Sequence, residues 1–332
     1  MQAPSLTLGA ALRDCEAERP EARIKAVQNL APALLVALDV PGPRYNAAAE
    51  HERGPEVVTA LLRAIDGDDP ALRGLAAVGL GTLGDPQVID RCGGWLGLRG
   101  DDEDTGFLRE CAAIALALLG SCAPADHDVR ARTLAMLREA LHAERADVRF
   151  QAPGGMVEIA GSDVEADLVA ALDDEEHPQV RLAIVEALSR VDPPAPATCD
   201  ALEALVATDE GDDEIGFEAA MILASARRDR ARPRLMRALD HRGERDRALE
   251  ALAVLGPAPA ADLERVQRLA AAIMTPGVTR VRAAYALSRM AAPGVRDPGR
   301  ALLAKLRFHP RGAVREAVRD ALTNLGLLSS DE

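Results

Sequence analysis

The sequence predicts an all-α protein, an α-solenoid of about nine helix pairs that spans residues 1–332 as a single domain. Three observations lead to this prediction. The 332 residues are 48% hydrophobic but only 2% aromatic, so we expect a core of Ala, Leu and Val, which suits closely packed helices. Apolar residues recur at three- and four-residue spacing, as on one face of a helix. The whole pattern returns with a period of about 35 residues, which is typical of stacked helix pairs.

Residues 69–86 are the clearest copy of the pattern. Leu72, Leu80 and Leu83 share one helix face with the alanines between them. Gly84 and Pro86 follow, and these residue types commonly end a helix. One amphipathic helix of this kind cannot bury its apolar face alone, so neighbouring helices are expected to cover it.

Positions equivalent to Leu72 occur throughout the chain, and we call them anchors. Apolar residues follow each anchor eight and eleven residues later, and the intervals between anchors range from 29 to 50 residues. Each anchor therefore marks the inner helix of one pair. The anchors are Ala22, Leu72, Leu108, Val148, Val180, Ile215, Glu244, Thr279 and Val314.

A second apolar segment precedes the inner helices and supplies the outer helix of each pair. Proline and glycine fall mainly between the helices, as at Pro124 and Gly256, where they end one segment and begin the next. The predicted outer segments are residues 5–15, 55–65, 129–141, 164–172, 200–207, 262–274 and 297–308, and Trp95 lies in a further one.

Residues 69–86 resemble the HEAT repeat, and more narrowly the HEAT-like repeat named after phycobilisome lyases. Asp69-Pro70, Leu72-Arg73 and Leu80-Gly81 match that repeat in place. The resemblance implies stacked helix pairs and no particular activity. It also implies that the Arg after an anchor bonds within and between neighbouring pairs as a structural ladder. The arginines of this ladder are Arg23, Arg73, Arg109, Arg149, Arg181, Arg280 and Arg315.

Three departures from the repeat mark candidate functional positions. The segment 40–54 is an insertion that contains Tyr45, and it either contacts a partner or forms a surface loop. Pro153-Gly154-Gly155 falls inside the fourth inner helix, where proline is expected to kink or restart the helix. Gly216 stands where the sixth pair would carry its ladder arginine, which predicts weaker coupling to the next pair.

Charge divides the chain near residue 227. Residues 1–226 contain 18 Lys and Arg against 41 Asp and Glu, a net charge of −23, whereas residues 227–332 contain 21 against 12, a net charge of +9. The negative residues crowd the turns before inner helices, for example at 101–104, 173–176 and 209–214, and predict an acidic ridge. The arginines between 227 and 247 predict a basic patch, although interleaved acids such as Asp229 favour internal pairing.

The sequence offers no pattern for catalysis, cofactor or metal binding. The five cysteines are scattered without a Cys-x-x-Cys pair, which is typical of a reduced, cytoplasmic protein. No P-loop, dinucleotide fingerprint, nucleophile elbow or zinc motif is present. No basic leader precedes the short apolar run at the N-terminus, and no apolar run reaches the ~18 residues that span a membrane, so neither a signal peptide nor a membrane segment is expected.

These observations favour a non-enzymatic scaffold or adaptor that binds another protein on the concave face of the solenoid. Residues two, three, six and seven places after each anchor should point to that face. Together with the Pro153 kink and the basic patch, this nominates Phe150, Pro153, Phe217, Met221, Arg228, Arg232, Arg237, Arg282 and Tyr285 as contact residues.

Two other functions stay open. The basic C-terminal third predicts a binder of nucleic acid or of a phosphorylated ligand, but nucleic acid is not expected because the net charge is −14 and only Tyr285 and Phe308 could stack there. An accessory lyase or chaperone for a small ligand would need a deep pocket near Pro153. The charge asymmetry also predicts salt-sensitive self-association as a further alternative.

Overall fold

The computed structural model describes residues 5–208, 214–272, 274–292 and 297–328. Within these ranges the chain forms eighteen α-helices and no β-strand, so the predicted all-α fold class is confirmed. The helices group into two compact units, Met1–Asp192 and Pro193–Glu332, which are described separately as unit 1 and unit 2. That the whole chain forms a single domain therefore stays a prediction.

Unit 1 contains five helix pairs within its described residues. In each pair the first helix is the outer one and the second, which carries the anchor, is the inner one. The pairs are α1 (Leu8–Asp14) and α2 (Pro20–Ala37), α3 (Gly54–Ile65) and α4 (Pro70–Thr82), α5 (Ile89–Leu96) and α6 (Glu103–Cys122), α7 (Asp128–Leu141) and α8 (Ala146–Ala160), and α9 (Glu165–Asp174) and α10 (Pro178–Leu188).

Unit 2 adds four pairs in the part of it that the structure describes, which brings the total to the nine pairs expected from the sequence. They are α11 (Pro196–Thr208) and α12 (Glu214–Ser225), α13 (Arg232–Ala238) and α14 (Arg245–Leu255), α15 (Ala260–Ala271) and α16 (Gly277–Met290), and α17 (Pro298–Leu306) and α18 (Gly312–Asn324).

Inner helices pack side by side in chain order within each unit, α2 to α10 in unit 1 and α12 to α18 in unit 2. The residues eight places after the anchors form the centre of this packing. Leu80, Leu116 and Leu188 in unit 1, and Leu252 and Leu287 in unit 2, have no exposed surface. Burying such a side chain contributes about 1.5–3 kcal/mol, so the repeated apolar spacing supplies the stability of both stacks.

The repeat of residues 69–86 shows how sequence sets the helix ends. The Asp69 carboxylate accepts hydrogen bonds from the Ala71 and Leu72 N–H groups and caps α4, while Pro70 occupies the first turn. At the other end Gly84 adopts a φ of +65°, a left-handed conformation that favours glycine. Within α4, a Cβ on Gly81 would lie 2.5 Å from the Ala115 carbonyl oxygen, so glycine there permits the close approach of α4 and α6.

Helix α8 is continuous from Ala146 to Ala160 and contains Pro153 in its interior. The expectation that Pro153 restarts the helix is therefore wrong. Pro153 is buried, and so is Gly155, where a Cβ would approach the Ala117 side chain to 2.9 Å. Gly154 faces outward, and only the tip of Arg190 lies within 4 Å of a Cβ placed there.

Helix α6 is the one helix, among the residues searched, that is long and apolar enough to cross a membrane by length and composition. It packs against α4, α5, α7 and α8. Ten of its residues, including Leu116 and Leu119, are buried by these neighbours. Its hydrophobicity is therefore that of a central core helix.

Candidate protein-interaction surfaces

In unit 1 the arginine after an anchor links neighbouring pairs at Arg109 and Arg149. Among the described residues the predicted ladder is not uniform, since the Nε atoms of Arg23, Arg73 and Arg181 are buried without a hydrogen-bond partner. Arg109 is 2% exposed, and its guanidinium donates to the carbonyl oxygens of Leu98 (3.1 Å) and Gly100 (3.0 Å) and to the Asp147 carboxylate (3.0 Å from Nε). Burial acts to raise the pKa of Asp147, but hydrogen bonds from Arg145 and Arg109 outweigh it and keep that pKa below its usual value. Arg109 therefore joins the turn after α5 to the start of α8.

Arg149 repeats this arrangement one pair later. It donates to the carbonyl oxygens of Ala143 (2.9 Å) and Glu144 (2.7 Å) and forms a two-pronged ion pair with Glu175 (2.6 and 2.9 Å). The hydrogen bond from Arg149 lowers the pKa of the buried Glu175 carboxyl. The fork of Arg matches both the two carbonyls and the carboxylate, which explains why Arg recurs at this position.

The same position serves a similar purpose in unit 2, where Arg280 bonds the Ala270 carbonyl oxygen (2.9 Å) and Arg315 those of His309 and Pro310 (both 2.8 Å). Arg245 bonds the Leu239 carbonyl oxygen at 2.6 Å and completes the series. Sequence reasoning placed Arg245 in the basic patch instead, although it directly follows the anchor Glu244.

Phe217 is buried, with 1% of its surface exposed, and so is not the surface contact that its position predicts. Arg234 and Arg247 each lie over its ring, at 5.2 and 5.1 Å from the ring centroid. These two arginines come from α13 and α14. They pack on the residue that follows Gly216, the position at which the sixth pair lacks a ladder arginine. Phe217 is thus part of the packing between α12 and the following pair.

Most of the arginines between 227 and 247 are engaged within unit 2. Arg228 lies 3.6 Å from Glu203, and Arg247 forms a two-pronged pair with Glu218 at 2.6 and 2.7 Å. Arg232 is buried and bonds Asp229 at 2.7 Å and the Pro257 carbonyl oxygen at 3.0 Å. Arg232 is therefore not placed for surface contact, whereas Arg237 is exposed.

The inner helices of unit 1 present some of their side chains to solvent, and we call this surface the Phe150 face. Phe150 on α8 is 41% exposed and Ile114 on α6 is 38% exposed. Gly154 presents no side chain four residues after Phe150, and the exposed carboxylates of Glu110 and Glu186 lie at the corresponding positions of α6 and α10. Positions two and six after the anchors line this face, but the seventh position, for example Ala115, is buried, contrary to the prediction.

In unit 2 two predicted residues come together in a groove between α16 and α18, which we call the Tyr285 groove. Its volume is about 320 Å³, and half-buried Tyr285 and Arg282 line it. Arg282 pairs with Glu250 at 2.9 Å and with Asp246, so its charge is balanced at the rim. Glu250 also lines the groove, and the remaining lining residues, which make it partly apolar, are Val278, Val281, Ala317, Asp320, Ala321 and Asn324. Met221 is half-buried on α12.

The insertion 40–54 lies across the end of α4. The Arg44, Asn46 and Ala47 N–H groups donate to the carbonyl oxygens of Thr82, Gly84 and Leu83 at 3.0–3.2 Å. Tyr45 reaches further, and its hydroxyl lies 3.0 Å from Nε2 of His127 at the start of α7. The segment is therefore bound to unit 1 at both its backbone and its aromatic side chain.

The acidic turns are partly explained by local structure. The Asp102 carboxylate caps α6 by accepting from Thr105, and these hydrogen bonds lower its pKa. Asp66 pairs with Arg91 at 3.0 Å, and Asp101 pairs with Arg145. The turn at 209–213 lies outside the described residues. Among the residues searched there is no group of three or more His, Cys, Asp and Glu that could hold a metal ion.

The thiols show no sign of activation. All five cysteines are free, and Cys92, Cys111 and Cys199 are buried. Burial raises the pKa of Cys92 and Cys111 to about 12 and that of Cys15 and Cys122 to about 11. A thiol that stays protonated is a poor nucleophile, so these residues do not form a candidate catalytic site.

Comparison with known proteins supports the repeat assignment. A sequence profile of HEAT repeats matches residues 134–216, from within α7 to the start of α12. YibA of Escherichia coli has a similar structure, with a TM-score of 0.58 and 16% identity over 87% of this chain and 94% of YibA. The karyopherin Kap121p, in its structure with Pho4p, gives a TM-score of 0.56 at 13% identity over 98% of this chain.

The aligned part is 42% of the karyopherin, so this chain spans less than half of that protein. The complex of CpcE and CpcF, of phycocyanin lyase from a Nostoc species, gives a TM-score of only 0.36, which is too low to bear on this chain. No curated protein matches the sequence. At such identities the likeness shows the fold alone. The profile match identifies residues 134–216 as HEAT repeats, and the nine helix pairs show that the rest of the chain shares the α-solenoid fold of such repeats.

Proposed function

We propose that this protein is a non-enzymatic scaffold or adaptor that binds a segment of another protein on its inner helices, with the Tyr285 groove as one binding site. The observation that supports this most directly is that groove. It combines a partly apolar lining with a tyrosine, and aromatic residues are enriched at protein interfaces. HEAT-repeat folds typically present such surfaces to protein partners.

The size and chemistry of the groove favour a short stretch of polypeptide. A volume of about 320 Å³ accommodates one or two side chains, not a folded domain. Val278, Val281 and Ala317 offer contact to an apolar side chain, while Tyr285 and Asn324 supply hydrogen-bonding groups at its rim. Arg282 is already paired with Glu250, so an anionic ligand is not required to balance its charge.

The other candidate functions receive less support. The arginines of 227–247 on which nucleic-acid binding rested are largely paired within unit 2. An accessory lyase or chaperone would need a deep pocket near Pro153, but Pro153 is buried. It does not line the Tyr285 groove, nor the cavities at the start of α6, at the start of α13 and among α1 to α4.

Site-specific photocrosslinking tests the proposal. A benzoylphenylalanine is introduced at position 285, and a matched control variant carries it at exposed Gln267 on the outer helix α15. We expect a discrete protein adduct from the native cell at position 285 only. The substitution Ala317→Arg, which fills the groove, should remove that adduct. Equal adducts at both positions, adducts insensitive to Ala317→Arg, or adducts to nucleic acid would contradict the proposal.

A further inference from the structure

Two apolar side chains in unit 2 are exposed far more than the others. Met274 is 94% exposed and Phe308 is 83% exposed, whereas the other large hydrophobic residues at the described surface range from 38% to 59%. Isolated apolar residues at a surface are common, but exposure of this extent leaves nearly all of the apolar area of both side chains in water. These side chains therefore contribute nothing to the core of unit 2.

Met274 lies in the turn between α15 and α16, and Phe308 lies in the equivalent turn of the next pair, between α17 and α18. Gly277, three residues after Met274, is next to the following turn, because a Cβ placed on it would lie 3.7 Å from the His309 ring. Ladder arginines bond the backbone near both residues: Arg280 bonds the Ala270 carbonyl oxygen in the last turn of α15, and Arg315 bonds those of His309 and Pro310. The two apolar side chains are thus presented by a hydrogen-bonded framework.

Positive charge surrounds Phe308. Residues 300–319 contain six Lys or Arg and one Glu. Arg307 and Arg311 flank Phe308 and are exposed, and among the described residues no carboxylate lies within 4.0 Å of either guanidinium. This contrasts with the basic patch at 227–247, whose charges are largely paired. We call Met274, Lys305, Arg307, Phe308 and Arg311 the Phe308 surface.

We propose that the Phe308 surface is a second interaction site, separate from the Tyr285 groove, and that it binds an acidic protein segment carrying a bulky apolar side chain. Exposed Phe, Met and Arg are the residue types enriched at protein interfaces. The forked guanidiniums of Arg307 and Arg311 suit carboxylates on either side of an apolar residue packed on Phe308. Charge complementarity selects an acidic partner.

Two other anionic partners fit less well. A nucleic acid could stack a base on Phe308 but offers no apolar pocket for Met274, and the net charge of −14 repels a long polyanion. An anionic membrane meets the same repulsion, and two side chains insert less apolar surface than one myristoyl chain, which alone binds membranes only marginally. A short acidic segment carries few charges and can offer its own apolar group.

Fluorescence anisotropy with three labelled peptides tests the proposal on the full chain. One probe alternates Glu and Leu, the second replaces each Leu by Ser at the same charge, and the third alternates Lys and Leu. We expect the Glu–Leu probe to bind at least about tenfold more tightly than the Glu–Ser probe, and the Lys–Leu probe not to bind this surface. Binding should weaken with added salt, because exposed charges are screened.

Variants identify the surface that is responsible. Phe308→Ser should reduce binding of the Glu–Leu probe to the level of the Glu–Ser probe, and Arg307→Glu with Arg311→Glu should abolish both. The control with the same charge change is Arg227→Glu with Arg289→Glu, at two exposed arginines near the ends of α12 and α16. This control should bind the probes like wild type. Val254→Ser, at a residue that is 44% exposed, is the control for Phe308→Ser.

The proposal is overturned if the two acidic probes bind equally, if no probe binds, or if the control variants lose as much affinity as the test variants. Tighter, Phe308-dependent binding of oligouridine or of phosphatidylserine vesicles would reassign the surface to those ligands. Self-association that is lost in Phe308→Ser, measured by sedimentation velocity, would make a second copy of this chain the partner. The photocrosslinking at position 285 is independent of every one of these results.

Discussion

Removal of the Arg109 guanidinium should destabilise unit 1 strongly. In Arg109→Met a side chain of similar length keeps the packing but removes the Arg109 donor from the Leu98 and Gly100 carbonyl oxygens and from the Asp147 carboxylate, which keeps only Arg145 and the Val148 N–H as donors. Removing one partner of a buried ionic network costs about 3–5 kcal/mol. Because the Asp147 side chain is 43% exposed and water can solvate it, we expect the cost to lie toward the lower end of that range.

Arg145 provides a matched control. It contacts the same carboxylate, with 3.1 Å between its Nε and Asp147, but its side chain is 33% exposed. Water screens exposed ion pairs, so Arg145→Met should lower the free energy of unfolding much less than Arg109→Met does. Arg109→Lys keeps the charge but loses the fork, and an intermediate cost is expected.

Urea unfolding followed by tryptophan fluorescence measures this difference. Trp95, the single tryptophan, lies in α5 directly before the turn that Arg109 binds, so its emission reports on unit 1. We expect a lower urea midpoint for Arg109→Met with an unchanged slope, since the surface exposed on unfolding is the same. The reasoning is refuted if Arg109→Met is no more destabilising than Arg145→Met.

Three further outcomes are expected. In urea unfolding, Phe217→Ala should lower the free energy of unfolding by about 3–5 kcal/mol and Phe150→Ala by under about 1 kcal/mol. The two residues share a repeat position, but only Phe217 is buried, so equal losses would contradict this reasoning. Gly84→Ala should destabilise more than Gly326→Ala, since both have positive φ but a Cβ on Gly84 would lie 2.3 Å from Tyr45 Cα, and the calorimetric midpoints should rank accordingly. Arg149 lowers the pKa of Glu175, so the free energy of unfolding of wild type should decrease as pH falls below the ordinary Glu value of 4.5. Glu175→Gln should be less stable than wild type at pH 7 and should lose less stability in acid. A loss in acid as steep as that of wild type would argue against the pair, and Asp163→Asn is the control at an exposed carboxylate.

The sequence was sufficient for the architecture because the repeat is local. An anchor such as Leu108 and the apolar residues eight and eleven places later, Leu116 and Leu119, lie on one face of one helix, and all three are buried. The bonds of Arg149 and Arg315, which the family resemblance implied, are local as well, since both residues bond carbonyls only five or six residues earlier. The nine predicted pairs accordingly match the structure.

The surfaces were less predictable because they depend on residues distant in sequence. Phe150 and Phe217 occupy the same repeat position, but Phe217 is covered by Arg234 and Arg247 from the next pair. Likewise Arg247 is neutralised by Glu218, 29 residues earlier. Conversely, the sequence does carry a signal for the Phe308 surface, because Arg307 and Arg311 flank the aromatic residue.

The segment 44–47 changes how unit 1 can come apart. In an array where each repeat contacts only its neighbours, unfolding can begin at an end and proceed one repeat at a time, as in a one-dimensional chain of coupled elements. Here the backbone after the first pair hydrogen-bonds the end of the second, and Tyr45 reaches His127, 82 residues further along, at the start of the fourth. This long-range closure spans the intervening pairs, so fraying from the N-terminal side must break it before the second pair is released. Opening of the second pair should consequently be coupled to loss of the contact with the fourth.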